Sequence, residues 1–160
     1  MEAVKLTRIE PEGRASFRKL AEKTGVWACF TCRTCTASCP VSAVNPDFNP
    51  LRIIRMALYG LERELLEGQT IWLCTSCYAC QERCPQGVYI SEFINHIKNA
   101  AFASGNLPQG IRAQRDLVRS EGRIYPIDDF DNKKRGKAGL PELPTECDAA
   151  KMLFKEDEND

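Results

Sequence analysis

The pattern C-x2-C-x2-C-x3-C-P occurs twice in this chain. The first copy is Cys29-Phe30-Thr31-Cys32-Arg33-Thr34-Cys35-Thr36-Ala37-Ser38-Cys39-Pro40. The second is Cys74-Thr75-Ser76-Cys77-Tyr78-Ala79-Cys80-Gln81-Glu82-Arg83-Cys84-Pro85. Three thiols within seven residues can wrap three corners of one cubane cluster. The fourth cysteine points away after the longer step, and the proline stops the local turn from continuing as helix. In this spacing the fourth cysteine of each motif ligates the other motif's cluster. The pattern therefore predicts two [4Fe–4S] clusters with exchanged fourth ligands. One would take Cys29, Cys32, Cys35 and Cys84. The other would take Cys74, Cys77, Cys80 and Cys39. The exchange would make each cluster a staple between halves that lie far apart in sequence.

Structural zinc fits the pattern poorly. Zinc sites use cysteine pairs set a dozen or more residues apart, often with histidine. Here four cysteines crowd into eleven positions, and the single histidine, His96, lies outside both motifs. A disulfide framework is disfavoured as well, since no secretory signal or oxidising context is visible. Basic and acidic side chains balance at 22 each, which gives no global electrostatic case for nucleic acid or membrane binding. The balance hides an asymmetry: residues 128–160 hold 10 acidic and 6 basic side chains. No apolar run has the length of a bilayer span. The expectation is a soluble protein of a reducing cytoplasm. Hydrophobic residues are 43% of the chain, a figure that includes nine cysteines, so the core is small and metal–ligand free energy becomes folding free energy.

The copies stand 45 residues apart, and the offset holds for Trp27 and Trp72, all four cysteines and the proline. This is an internal duplication of one supersecondary unit. Its content predicts an all-α chain. A helical pattern runs from Pro11 to Lys23 with Phe17, Leu20 and Ala21 on its buried side, and stops at Gly25. Asn49-Pro50 is a helix start, with asparagine as cap and proline at the first position. Leu51, Ile54 and Leu58 then recur at helical spacing, with Arg52 and Arg55 off that line. A short helix follows from Leu61 to Glu67. Ser91 is placed to cap a helix reaching about Ser104, whose apolar stripe is Ile90, Phe93, Ile94, Ile97 and Ala101. Pro108 to Ser120 reads as another helix. From about Tyr125, Pro126, Pro141, Pro144, Gly136 and Gly139 predict an extended arm, and Cys147 within it reads as a bystander. Residues 1–10 read as an irregular or strand-like arm. The expected organisation is 1–25, N-terminal arm and helix; 26–122, the cluster domain with motifs at 29–40 and 74–85; 123–160, extended C-terminal arm.

The residues offer wires and no substrate site. Clusters with four thiolate ligands have no open coordination position and move single electrons. No catalytic grouping, phosphate loop or dinucleotide fingerprint is present, so no catalytic residue is assigned. Thr31, Thr34, Thr36, Thr75 and Ser76 are candidate hydrogen-bond donors to sulfur, or simply residues that suit tight turns. Arg33 and Arg83 are candidates to raise a nearby cluster's potential or to contact a partner, or are solubilising charges. Trp27, Phe30, Trp72 and Tyr78 are expected to shield the clusters from water.

Residues 25–108 resemble the C-subunit of heterodisulfide reductase. The likeness rests on Trp27 to Val41, on Asn49-Pro50-Leu51-Arg52-Ile53-Ile54-Arg55 and on Trp72 to Pro85; Leu140-Pro141-Glu142-Leu143-Pro144 is also similar. It implies an α-helical ferredoxin fold with two [4Fe–4S] clusters, the eight motif cysteines being carried over as ligands one by one. It also implies a cytoplasmic complex of methanogenesis. There an A-subunit that holds flavin and iron–sulfur clusters passes electrons through the C-subunit to a catalytic B-subunit. The coenzyme M–coenzyme B disulfide is cleaved in the last of these, and a hydrogenase or formate dehydrogenase module can feed the first. The Cys-Cys-Gly signature of the B-subunit is absent from this sequence.

Two other readings stay open at this point. The iron–sulfur subunits of succinate/fumarate, glycerol-3-phosphate and glycolate-type oxidoreductases use similar modules. A non-redox structural or sensing iron–sulfur module would carry the same cysteines.

Overall fold

The computed structural model describes residues 11–145 and 147–154. The expected arm at 1–10 lies outside them. Among the described residues there are helices and no strand, so the chain is all-α. Contacts divide it into two units, residues 1–106 and 107–160.

In the first unit, α1 (Pro11–Thr24) stops at Gly25, whose φ of 68° is a left-handed conformation that side chains disfavour. A short 3-10 turn, Val26–Ala28, leads into the first motif, and its counterpart Thr70–Leu73 leads into the second. Inside the motifs are single helical turns, α2 (Thr34–Ala37) and α6 (Ala79–Glu82), at the same 45-residue offset as the cysteines. The copies diverge after the proline. The first continues as α3 (Pro40–Val44), then α4 (Pro50–Leu58) and α5 (Glu62–Glu67). The second turns once and enters α7 (Ile90–Ala103).

The α7 stripe expected from its spacing is the centre of the core: Ile90, Phe93, Ile94, Ile97 and Ala101 are all buried. Around it, α1 packs on α4, α5 and α7, and α5 packs on α4 and α7. Leu51, Ile53, Ile54 and Ala57 of α4 are buried in the same cluster, while Arg52 and Arg55 stay exposed. Two polar staples close this body. The Tyr89 amide donates to the Thr24 carbonyl at 2.9 Å, tying the end of α1 to the start of α7. The Asn106 side-chain amide donates to the Leu66 carbonyl, and Gln69 Nε2 donates to Asn106 Oδ1 at 3.2 Å.

Asn49 does more than cap α4. Its Oδ1 accepts from the Arg52 amide at 3.0 Å and from Thr36 Oγ1 at 2.8 Å. One oxygen thus joins a helix start to the first motif. Asn49→Ala removes both bonds and is expected to destabilise the iron-loaded protein by about 1–2 kcal/mol. Asn49→Asp, which keeps the acceptor, should recover most of the loss in a denaturant titration.

The second unit corrects the expectation of an extended arm. It holds α8 (Gln109–Glu121), α9 (Asp129–Lys137) and α10 (Asp148–Leu153), with α10 packed on α8. Asp128 caps α9 by accepting from the Asp131 amide at 2.8 Å. Acidic residues in the first turn of α9 and basic ones in its last turn complement the helix dipole. The Leu140–Pro144 stretch is extended, but Asn132 holds it: its Nδ2 donates to the Leu143 carbonyl at 2.8 Å and its Oδ1 accepts from the Leu143 amide at 3.0 Å. Cys147 is half-buried beside this stretch in sequence and far from the motif cysteines along the chain.

Candidate metal centre

Each motif loop is shaped by two residues in left-handed conformation, one on either side of its second cysteine. They are Thr31 (φ 64°) and Arg33 (φ 67°) in the first copy, Ser76 (φ 52°) and Tyr78 (φ 62°) in the second. None is glycine, and a left-handed non-glycine residue costs roughly 1–2 kcal/mol. The same strained positions recur in both copies, so the strain belongs to the motif. Alternating hands turn successive amides toward the inside of a loop, the kind of nest that receives anionic groups and iron–sulfur clusters.

The first motif does not close on itself. One cavity is lined by Cys29, Cys32 and Cys35 from the first copy and by Cys84 from the second. Its empty space, counting the mouth, is about 310 Å3. Leu51, Val88 and Ile90 give it an apolar wall. On the other side, the Cys80 thiol feels the charges of Cys74 and Cys39, again one set drawn from both copies. Cys77 lies exposed on its loop. The two groups of thiols adjoin where α2, which holds Cys35, meets α6, which holds Cys80.

Burial pushes the Cys35 thiol above its usual range, and the neighbouring Cys29 and Cys80 add to the effect, against a lowering by Thr36. Burial likewise raises Cys80, with Cys74 and Cys39 adding, against a lowering by the Ser91 hydroxyl and the Gln81 backbone. Cys32 is lowered, chiefly by the Thr34 hydroxyl 3.3 Å from its sulfur. Bare thiolates crowded in this way repel each other. A cationic iron core reverses that penalty, and this donor set fits such a group. Among the described residues no three His, Cys, Asp or Glu side chains gather as they would round a single ion.

Residues 25–88 match the protein family described as the 4Fe-4S dicluster domain. The chain is 38% identical to the C-subunit of the ferredoxin:CoB-CoM heterodisulfide reductase of Methanosarcina mazei, over 74% of this chain and 73% of that protein. It belongs to the heterodisulfide reductase C-subunit family. Members in other genera agree. Identity is 39% to a CoB–CoM heterodisulfide reductase iron-sulfur C-subunit, the one numbered 2, of Methanocaldococcus jannaschii, over 71% of this chain and 60% of that protein. It is 40% to the C-subunit of the H2:CoB-CoM heterodisulfide,ferredoxin reductase of Methanothermobacter marburgensis, over 72% and 62%. The chain thus spans less than two thirds of the length of these two relatives. As a dicluster member of the C-subunit family it carries two [4Fe–4S] clusters.

Several contacts of this chain were not legible in the sequence. Ser91 does not cap α7: Tyr89 stands at the cap position, and Ser91 is buried with its Oγ 3.4 Å from Cys80 Sγ. Ser76 Oγ donates to Asn95 Oδ1 at 2.8 Å, and Lys98 Nζ donates to the Cys74 carbonyl at 2.6 Å. Helix α7 therefore grips the second motif with three side chains. On the first motif, the Ser42 amide donates to Cys39 Sγ at 3.5 Å. Thr36, a candidate donor to sulfur, gives its proton to Asn49 instead, and its oxygen lies 4.0 Å from Cys35 Sγ. The shielding expected of the aromatics is incomplete: Trp27 is 55%, Phe30 57% and Tyr78 40% exposed, and only Trp72 packs against the core.

Ser91 has no counterpart at the 45-residue offset, where Pro46 stands. A hydroxyl donated to a ligating sulfur favours the reduced, more negative state. Ser91→Ala is therefore expected to lower the reduction potential of one cluster and leave the other in place. A differential of about 1 kcal/mol corresponds to roughly 40 mV in a redox titration followed by electron paramagnetic resonance.

Proposed function

We propose that this chain is the electron-relay subunit of a heterodisulfide reductase-type complex. It would stand between an A-subunit that carries flavin and iron–sulfur clusters and a catalytic B-subunit that reduces the CoM-S-S-CoB disulfide or a related one. The observation that carries the reading is the adjoining of two mixed-copy thiol groups at the α2–α6 contact, inside one helical body. Cys29, Cys32, Cys35 and Cys84 hold the first cluster in this reading, and Cys74, Cys77, Cys80 and Cys39 the second. When bound, the clusters supply one-electron transfer without an open site for substrate.

The chain's own residues do the remaining work. The left-handed pairs Thr31/Arg33 and Ser76/Tyr78 shape the two motif loops. Leu51, Val88 and Ile90 keep water from one side of the first thiol cavity. Asn95, Lys98 and Ser91 fix the second loop to α7, whose apolar stripe is buried in the core, which limits rearrangement when charge changes. No described helix is long and apolar enough to cross a membrane. Thiol ligands that must stay reduced to hold iron support a place in the reducing cytoplasm.

The reading is tested by assembling the A- and B-subunits with and without this chain. Reduction of CoM-S-S-CoB by a donor that enters at the flavin should need the chain. Variants that lose either cluster should lower that rate at least about tenfold, while the B-subunit stays active with a dye that reduces it directly. A full rate from the flavin and catalytic proteins alone would refute the relay.

A further inference from the structure

A broad groove lies beside the first motif and shares Thr31, Arg33 and Leu51 with the wall of the first thiol cavity. It is lined by Arg33, Arg52 and Arg55, with Leu51, Met56 and Tyr59 between them. No carboxylate lines it, and among the described residues none pairs with these three guanidinium groups. Arg52 and Arg55 sit three apart on α4 and so share a face. Arg55 is held outward by donating to Tyr59 Oη at 2.7 Å, with its guanidinium 5.5 Å from the ring centre. Tyr59 is itself 51% exposed. At the 45-residue offset the second copy has Tyr78, Ile97 and Ala100, so the charge is built on one side of the duplicated unit alone.

Arginine, tyrosine and methionine are the residues enriched where protein partners dock. The groove is too open to solvent to bury most of a small ligand, as a small-molecule site does. Its unpaired positive charge calls for a negative counterpart. We propose that Arg33, Arg52 and Arg55 form the docking face for an acidic surface of the protein that exchanges electrons with the cluster held by the first motif. This rests on the relay reading, and it assigns one of the two neighbouring subunits to this side. Because the groove and the thiol cavity share Thr31, Arg33 and Leu51 as a common wall, a partner seated on it stands beside the first cluster. It would also cover Phe30, which lines that cavity and is left exposed.

The test uses the full-length, iron-loaded chain, with the flavin-bearing and the catalytic partner proteins as separate probes, in binding measurements over a range of salt. Arg52→Gln/Arg55→Gln should weaken binding to one of the two partners roughly 10- to 100-fold, mainly through the association rate at low salt, and leave the other unchanged. Arg52→Glu/Arg55→Glu should weaken it further. Lys19→Gln/Lys23→Gln, the same charge change on exposed positions of α1, should have little effect, and iron content should stay at the parent level in all three. Unchanged affinity of the arginine variants for both partners overturns the proposal. So does inorganic phosphate that binds the free chain through these arginines and displaces the partner at constant ionic strength, which makes the groove a small-anion site. If the parent chain binds neither partner, the relay reading itself fails.

Discussion

The double variant Cys32→Ala/Cys84→Ala is expected to keep about half of the parent iron, and Cys32→Ala/Cys39→Ala almost none. The asymmetry follows from crossing. Cys32 and Cys84 lie in different motifs but line one cavity, so removing both damages one site. Cys32 and Cys39 lie seven positions apart in one motif, yet Cys39 influences Cys80 on the other side. Removing that pair damages both sites. If each motif wrapped its own cluster, the two results would exchange places. Iron and acid-labile sulfide on the purified variants decide the matter, and visible absorbance follows both. Each parent single variant supplies the control for folding.

The second large effect is expected at Phe93→Ala. Phe93 is fully buried near the start of α7, and truncation of such a residue costs about 3–5 kcal/mol. Whole-domain stabilities are on the order of 5–15 kcal/mol, so the variant stands near the edge of folding. The loss should not be uniform. Helix α7 presents Ser91, Asn95 and Lys98 to the second motif, while the first motif is braced by Asn49 of the α4 start. Loosening α7 should therefore release iron from the second site before the first. Stepwise iron loss during thermal unfolding measures the order; loss of both together, or of the first site alone, would contradict it.

Much of this arrangement could be read from residues alone, because the constraints that set it are local. Thiol spacing fixes which loops can wrap a cubane. Asn49-Pro50 states a helix start in two residues, and the α7 stripe repeats at the helical period. What escaped was set by tertiary contact. Ser91 has the right chemistry for a cap, but its hydroxyl is taken by Cys80 once α7 packs under α6. The left-handed Thr31, Arg33, Ser76 and Tyr78 carry no glycine to announce them; the repeat at 45 residues was the available signal. In the C-terminal stretch, Gly136, Gly139 and the prolines outweighed the dipole-matched charges of α9, although Asp128 was a readable cap. The aromatics beside the motifs were expected to be covered because such side chains usually pack. Here three of them face outward, on a chain whose family works within a larger enzyme.

Counting metal, sulfide and electrons on the purified anaerobic chain tests the central claim most directly. A conductor built on two crossed clusters should hold about eight irons and eight sulfides and take up about two electrons reversibly. Its two paramagnetic signals should broaden one another, since the turns that hold Cys35 and Cys80 pack together. Zinc in place of iron, missing sulfide, or clusters that lose their iron on reduction would contradict it.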